Sequence, residues 1–173
     1  MDIKTLGGAG FASQRTTGED WTLDLSAYDG INIEIEKSDS KRYTFILKDT
    51  LLPKSPNGRE QSTISYEYDF QLSSSSSASN SSIFIPWKNL SPTYRGKEKK
   101  DAASINLKSV KRISIMMRSF FGDQEGDFSL TIKSIAAVSS SSKASAASLD
   151  QAEKGTMGLV GNLVPFLFRS IVG

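Results

Sequence analysis

The sequence contains neither cysteine nor histidine. Without cysteine the chain can form no disulfide and no thiolate metal site, and a cysteine nucleophile is excluded. Without histidine it lacks the usual general base near neutral pH and the Ser-His-Asp triad. Catalysis would have to use carboxylates, lysine, tyrosine or a bound cofactor. We find no nucleophile motif and no glycine-rich phosphate loop before a helix, so we expect neither an enzyme nor a cofactor.

The chain also has little net charge. Its 21 Lys and Arg residues and 19 Asp and Glu residues leave +2 over 173 residues, too little to argue for nucleic acid or an anionic membrane. The 38% hydrophobic and 23% charged residues are typical of one globular domain with tails. No signal peptide or mitochondrial presequence is visible in residues 1–8. We therefore expect a cytosolic chain or one that lacks an upstream segment.

Alternating apolar side chains predict short β-strands along most of the chain. In residues 31–36 three isoleucines alternate with polar residues, as in a half-buried strand. Further strands are predicted at residues 11–16, 21–25, 43–48, 62–71 and 83–85. Residues 112–138 read as two strands joined by an acidic, glycine-bounded loop, which predicts a β-hairpin. With no amphipathic helix pattern before residue 139, the strands predict an all-β, antiparallel β-sandwich.

The remaining segments predict loops, a linker and a tail. Residues 72–82 are almost pure serine and are expected to form a loop, and residues 87–104 are expected to be irregular. The predicted domains are the sandwich at residues 1–138, a Ser/Ala/Lys-rich linker at 139–156 and an apolar tail at 157–173, for which a helix is one option. The tail is too short for a membrane span. We expect it to dock on its own domain or a partner, with peripheral membrane contact as the alternative.

Loop cations and aromatic side chains are the candidate contact residues. Arginine and large aromatic residues are enriched at protein interfaces. Arg118 interrupts an apolar strand, so it either faces solvent or is buried with a partner. The alternative for Trp87 is core packing, and for residues 97–100 a solvated loop. The predicted partner-binding residues are Arg15, Trp87, Tyr94, Arg95 and Arg118.

Two other kinds of site are weaker candidates. Carboxylates at alternate positions of the acidic loop offer oxygen ligands for Ca²⁺, although a solvated turn explains them equally well. These residues are Asp123, Glu125 and Asp127. Four aromatic residues offer a stacking platform for sugars, although alternating aromatics in strands more often face the core. They are Tyr43, Tyr66, Tyr68 and Trp87.

Several segments fall in the order seen in one known family. They are GGAGFASQR at 7–15, WTLDLSAYDG at 21–30, RYTF at 42–45, IPW at 85–87, YRG at 94–96 and the run from ISIMMRSFFG at 113–122 to Phe128. Over roughly residues 5–138 the chain resembles complex I intermediate-associated protein 30 domains.

The resemblance implies a galactose-binding-like β-sandwich, a jelly roll shared with carbohydrate-binding modules. It also implies a non-catalytic assembly factor or chaperone for mitochondrial respiratory complex I (NADH:ubiquinone oxidoreductase), which binds assembly intermediates or other assembly factors. A mitochondrial location follows from the resemblance, with the cytoplasm as the alternative. Family domains usually begin further upstream, so we expect the sandwich to lack an N-terminal strand. The alternative function is a carbohydrate-binding module of jelly-roll type.

Overall fold

The computed structural model describes residues 10–18, 21–72, 81–139 and 171–172. These residues form two antiparallel sheets, which confirms the predicted β-sandwich. The larger sheet has the strand order β1-β8-β3-β4-β6-β7, and the smaller has β10-β9-β2-β5. The strands are β1 (Phe11–Arg15), β2 (Gly30–Ser38), β3 (Arg42–Lys48), β4 (Ser65–Gln71), β5 (Ser81–Pro86), β6 (Ser91–Tyr94), β7 (Lys97–Glu98), β8 (Arg112–Arg118), β9 (Ser129–Val138) and β10 (Ile171–Val172).

The core lies between the two sheets, where every second side chain of the central strands points inward. The predicted isoleucine row of β2 (Ile31, Ile33 and Ile35) is buried in the smaller sheet. It packs in one cluster with inward residues of β3 and β8 from the larger sheet. Each fully buried side chain of this size contributes about 1.5–3 kcal/mol before conformational entropy is subtracted.

The predicted hairpin at residues 112–138 is wrong in its pairing, although both of its strands form. β8 pairs with β1 and β3, whereas β9 pairs with β2 and β10 in the other sheet. Residues 119–128 therefore cross from one sheet to the other. Two strands that face each other across a core show the same alternation as two paired strands, so the pattern could not separate the two arrangements.

Gln124 fixes the course of this crossing segment. Its Oε1 accepts a hydrogen bond from the backbone N–H of Arg42 at 2.9 Å. Its Nε2 donates to the carbonyl oxygens of Arg42 at 2.8 Å and of Arg118 at 2.7 Å. One side chain thus ties the start of β3 to the end of β8.

The region predicted to be irregular, residues 87–104, contains two short strands. β6 pairs with β4, and β7 pairs with β6 through Tyr94 opposite Lys97. The two residues between them, Arg95 and Gly96, have φ values of 51° and 75°. Positive φ at both central positions is what a type I′ hairpin turn requires.

Three further predictions meet the structure only in part. The predicted strand at residues 21–25 is reduced to a single bridge between Leu23 and Val110. The linker and the apolar tail lie outside the described residues except at Ser139 and at β10, whose Ile171 pairs with Leu130 of β9. Residues 73–80 of the serine-rich segment and residues 1–9 also lie outside them. No helix of the described ranges has the length and apolar character to cross a bilayer.

Candidate functional site

A groove of about 770 Å³ lies on the outer face of the larger sheet. Its floor is made by the outward side chains of β1, β8, β3 and β4. Its walls come from the β3–β4 loop, the β6–β7 turn and the segment that follows β8. The volume is in the range of ligand-binding pockets. The groove is the candidate functional site.

A polar network crosses the floor of the groove. Arg118 of β8 donates to Glu67 at 2.8 Å and to Asp69 at 2.9 Å, both on β4. On β3, which lies between these strands, the hydroxyl of Thr44 donates to Asp69 at 2.6 Å. On β6 the hydroxyl of Thr93 donates to Glu67 at 2.7 Å. The network thus connects four strands, and each carboxylate accepts at least two hydrogen bonds.

A second charged cluster lies at the other end of β8. Glu60, on the β3–β4 loop, accepts hydrogen bonds at one oxygen, Oε2, from the guanidinium groups of Arg15 and Arg112, the latter at 2.9 Å. Arg112 is only 7% exposed, and its Nε has no hydrogen-bond partner among the described residues. Partial burial alone would raise the pKa of Glu60, but the hydrogen bond from Arg15 and the charge of Arg112 outweigh it and hold that pKa below its ordinary value.

Lys48 lies beside this cluster. Its ammonium group donates to the hydroxyl of Thr63 at 3.0 Å. Burial, and then the nearby charge of Arg112, lower the pKa of Lys48. This end of the groove therefore carries three cations (Arg15, Lys48 and Arg112) and one carboxylate (Glu60).

The opposite end of the groove is apolar and strained. Phe120 and Phe121 have φ values of 48° and 63°, a left-handed conformation that costs a residue with a Cβ about 1–2 kcal/mol. The Phe120 ring lies 3.4 Å from the guanidinium carbon of Arg42 and 4.6 Å from that of Arg118, so cation–π contacts hold it. Phe121 is left 93% exposed, and Phe11 nearby on β1 is 70% exposed.

Three of the predicted partner-binding residues line this groove: Arg15, Arg95 and Arg118. Arg118 is a partly buried, paired arginine with 22% of its side chain exposed. Tyr94 is outside the groove lining, and its ring lies 5.4 Å from the guanidinium of Arg95. Trp87 lies elsewhere, packed against the core, with its indole N–H donating to the carbonyl oxygen of Tyr28.

Most of the groove lining was not predicted from the sequence, and Phe11, Glu60, Arg112 and Phe121 are the unpredicted residues that matter most for its chemistry. A signal for Arg112 was present, because residues 112, 114, 116 and 118 share the outward face of β8. The Phe120-Phe121-Gly122 run next to an acidic loop could have suggested an exposed aromatic residue. No sequence pattern pointed to Glu60, because it lies in a loop, where side chains do not alternate regularly.

The other two predicted sites are not assembled. Within the described part of the chain no group of three acidic side chains gathers as a metal site, and Asp123 instead lies 3.4 Å from Arg42. Of the two interpretations of the four aromatic residues, the structure agrees with core packing and not with the sugar platform. Tyr43 and Tyr66 are buried in the core, and Tyr68 and Trp87 pack against it. The three tyrosines lie on the inward side of the larger sheet, and Trp87 directly follows β5 of the smaller sheet.

The described residues thus form a β-sandwich that carries a groove of mixed charge on one sheet, with exposed aromatic residues at one end of that groove. The model of the Complex I intermediate-associated protein 30 (CIA30) family matches residues 2–132, and the chain belongs to that family. The family predicted from the sequence motifs is thereby confirmed. Its name connects it with intermediates of complex I.

One relative is described as the uncharacterized protein C9E9.15 of Schizosaccharomyces pombe. It is 43% identical over 138 residues, which are 80% of this chain and 62% of the relative. The chain therefore spans less than two thirds of the relative's length.

Proposed function

We propose that the chain is a non-catalytic protein-binding module that acts as an assembly factor or chaperone for complex I intermediates, and that the groove is its contact surface. Family membership supports the connection with complex I. The groove supports protein binding, because aromatic residues and arginine are the side chains that contribute most to protein interfaces.

The observation that carries the proposal is the exposure of Phe121. A phenylalanine that is 93% exposed gains nothing from the fold of its own chain, and its positive φ adds strain. The surrounding structure nevertheless holds the segment through Phe120 and its two arginine neighbours. Backbone strain that a fold maintains in this way is characteristic of functional segments. A partner that covers Phe121 would bury about 150 Å² or more of aromatic surface.

The charges of the groove suit the recognition of a partner. Glu60, Glu67 and Asp69 each accept hydrogen bonds from neighbouring side chains. These bonds hold the arginines of the groove in place as hydrogen-bond donors. Arginines paired in this way keep further N–H groups available for a partner's oxygen atoms.

The proposed place of action is the mitochondrion, because that is where respiratory complex I is assembled. The alternative location in the cytoplasm and the membrane contact of residues 157–173 remain predictions. Fractionation of cells that express the full chain with a C-terminal tag tests the location. Recovery in the mitochondrial matrix fraction would support the proposal, and recovery in the cytosol alone would contradict it.

Affinity capture of the tagged full chain tests the function. From cells that contain complex I, solubilised in mild detergent, we expect quantitative mass spectrometry to find complex I subunits enriched over an untagged control. Phe121→Ala should reduce this enrichment about tenfold or more, as expected for loss of an aromatic interface residue. An absence of enriched complex I subunits would overturn the proposal.

Leu52→Ala is the matched control for Phe121→Ala. Leu52 is also an exposed apolar residue, at 48%, but it is not part of the groove lining. Its variant should capture the same subunits as the unaltered chain. Equal losses in the two variants would indicate a general effect of surface hydrophobicity and would remove the groove as the contact surface.

A further inference from the structure

We infer that the groove binds an extended acidic peptide segment of the partner, with a carboxylate on Arg15 and Arg112 and an apolar side chain on Phe11 and Phe121, and that Glu60 occupies the carboxylate position when no partner is bound. This inference rests on the proposed role of the groove in protein binding and names the chemistry of what it binds.

The position of Glu60 is the first observation behind it. Two guanidinium groups from different strands meet at one oxygen of a single loop carboxylate. Arg112 is only 7% exposed, and its Nε has no hydrogen-bond partner within the described ranges. A buried donor without a partner is costly. An incoming carboxylate can accept hydrogen bonds at both oxygens, as in a bidentate arginine pair. It can therefore use donors that Glu60 leaves free.

The exposure of Glu60 makes the exchange feasible. Its side chain is 37% exposed and that of Arg15 is 46% exposed. The pair of Glu60 with Arg15 is therefore exposed enough to contribute little to stability. The pair with Arg112, whose side chain is 9% exposed, is the costly one to break, because a buried arginine needs a charged partner. A carboxylate that enters as Glu60 leaves supplies that partner, so the exchange keeps Arg112 paired.

The two ends of the groove set the spacing of the ligand. Phe11 pairs with Arg118 at the apolar end, and Arg15 pairs with Ser114 next to Arg112. Four residue steps of a strand at about 3.3 Å each separate Phe11 from Arg15 by about 13 Å. An extended peptide that lies along β1 would thus place its apolar residue and its acidic residue three to four positions apart.

The charge of the groove favours a peptide over a nucleic acid. Five cations and three carboxylates line it, which leaves an excess of positive charge. The cations are Arg15, Lys48, Arg95, Arg112 and Arg118, and the carboxylates are Glu60, Glu67 and Asp69. A polyphosphate backbone needs several cations in a row and would meet these carboxylates. A peptide whose carboxylates lie only at the Arg15 and Arg112 end, with an apolar side chain at the Phe11 end, avoids them.

Fluorescence anisotropy with the purified full chain tests the inference. The probe is a fluorescein-labelled seven-residue peptide with phenylalanine at its second position and glutamate at its fifth and sixth. We expect Glu60→Gln to bind it about two- to fivefold more tightly than the unaltered chain, the size of effect of a partly exposed ion pair. Arg15→Gln, at an exposed position where folding is not at risk, should weaken binding by a similar factor.

Three controls decide the interpretation. Glu34→Gln removes the same charge from β2 in the opposite sheet, where Glu34 is 45% exposed, and should leave affinity unchanged. The same peptide with glutamine in place of glutamate should bind weakly and should not respond to Glu60→Gln. A single-stranded oligonucleotide of equal length should bind less tightly than the acidic peptide.

Several outcomes would overturn the inference. One is that Glu60→Gln and Glu34→Gln bind the acidic peptide with equal affinity. Another is that Arg15→Gln leaves this affinity unchanged. A third is that the oligonucleotide binds more tightly than the peptide. The capture experiment fails separately: peptide binding with the expected variant effects but without complex I subunits would refute the proposed function alone. Captured subunits that do not respond to Arg15→Gln or Glu60→Gln would refute the peptide inference alone.

Discussion

Gly30 begins β2 at a point where no side chain fits. A Cβ built on it would lie 2.4 Å from the carbonyl oxygen of Ile85 and 2.7 Å from the ring of Phe84. The first of these atoms is backbone in the paired strand β5, so it cannot move without disturbing the sheet. The absence of a side chain at Gly30 therefore allows β2 and β5 to pair closely.

We predict that Gly30→Ala destabilises the protein by about 2–3 kcal/mol, as overpacking of a closely packed site does. Urea denaturation followed by circular dichroism measures this as a lower midpoint with an unchanged slope. Gly58→Ala serves as the comparison. There a Cβ meets nothing within 4 Å, but φ is +77°, so only conformational strain of about 1 kcal/mol is expected. A larger loss at Gly58 than at Gly30 would contradict the prediction.

At the scale of the elements, the polar network joins strands that are not neighbours. Arg118 on β8 reaches across β3 to the carboxylates of β4, and the Glu67 side chain is only 10% exposed. A carboxylate with so little access to water depends on its partner, because loss of the cation leaves a charge that solvent cannot stabilise. The network therefore holds the floor of the groove in one register.

We predict that Arg118→Met lowers the free energy of unfolding by about 2–3 kcal/mol, somewhat less than for a fully buried pair because solvent reaches the arginine. Adding Glu67→Gln to Arg118→Met should recover part of this loss, whereas Glu67→Gln alone should destabilise. A double-mutant cycle on urea midpoints measures the coupling. Additive effects of the two substitutions would mean that the pair has no coupling energy.

Lys133→Met is the matched control on the smaller sheet. It breaks the ion pair of Lys133 with Glu34, which is 3.7 Å long and has side chains that are 61% and 45% exposed. Water screens such a pair, so its loss should change stability by no more than about 0.5 kcal/mol.

At the scale of the whole molecule, the crossing segment of residues 119–128 connects the two sheets. Packed sheets lie about 10 Å apart, whereas paired strands lie about 4.8 Å apart. The segment must therefore be long enough to pass around the end of the core. Phe120 and Phe121 of this segment line the groove, so the segment forms part of the groove while it connects the two sheets.

We predict that replacing residues 119–128 with a two-residue Asn-Gly turn abolishes cooperative unfolding. Such a turn joins only strands that pair directly, and β8 and β9 belong to different sheets. Thermal denaturation followed by circular dichroism is the measurement. A cooperative transition at the original temperature would show that the two strands can pair as a hairpin.

Insertion of two glycines between Glu125 and Gly126 is the corresponding control. A longer surface connection costs little conformational entropy, well under about 1 kcal/mol. This variant should fold and melt within a few degrees of the unaltered chain. Unfolding of both variants alike would indicate that the segment tolerates no change at all, rather than that its length matters.

The sequence by itself determined which side chains face the core. Alternation is a local property of a strand, because successive side chains point to opposite sides of the backbone. The buried row of β2 could therefore be predicted without knowing any neighbouring strand. The motif order likewise sufficed to predict the family, since it depends only on residues and their sequence positions.

Only the tertiary structure decided which strands pair and what the groove contains. Alternation is identical for strands that share a sheet and for strands that face each other, so the course of residues 119–128, fixed by Gln124, was needed to assign β8 and β9. Glu60 lies 45 residues from Arg15 and 52 residues from Arg112. No local pattern relates residues at such separations, because their meeting depends on how the loop and two strands pack against one another.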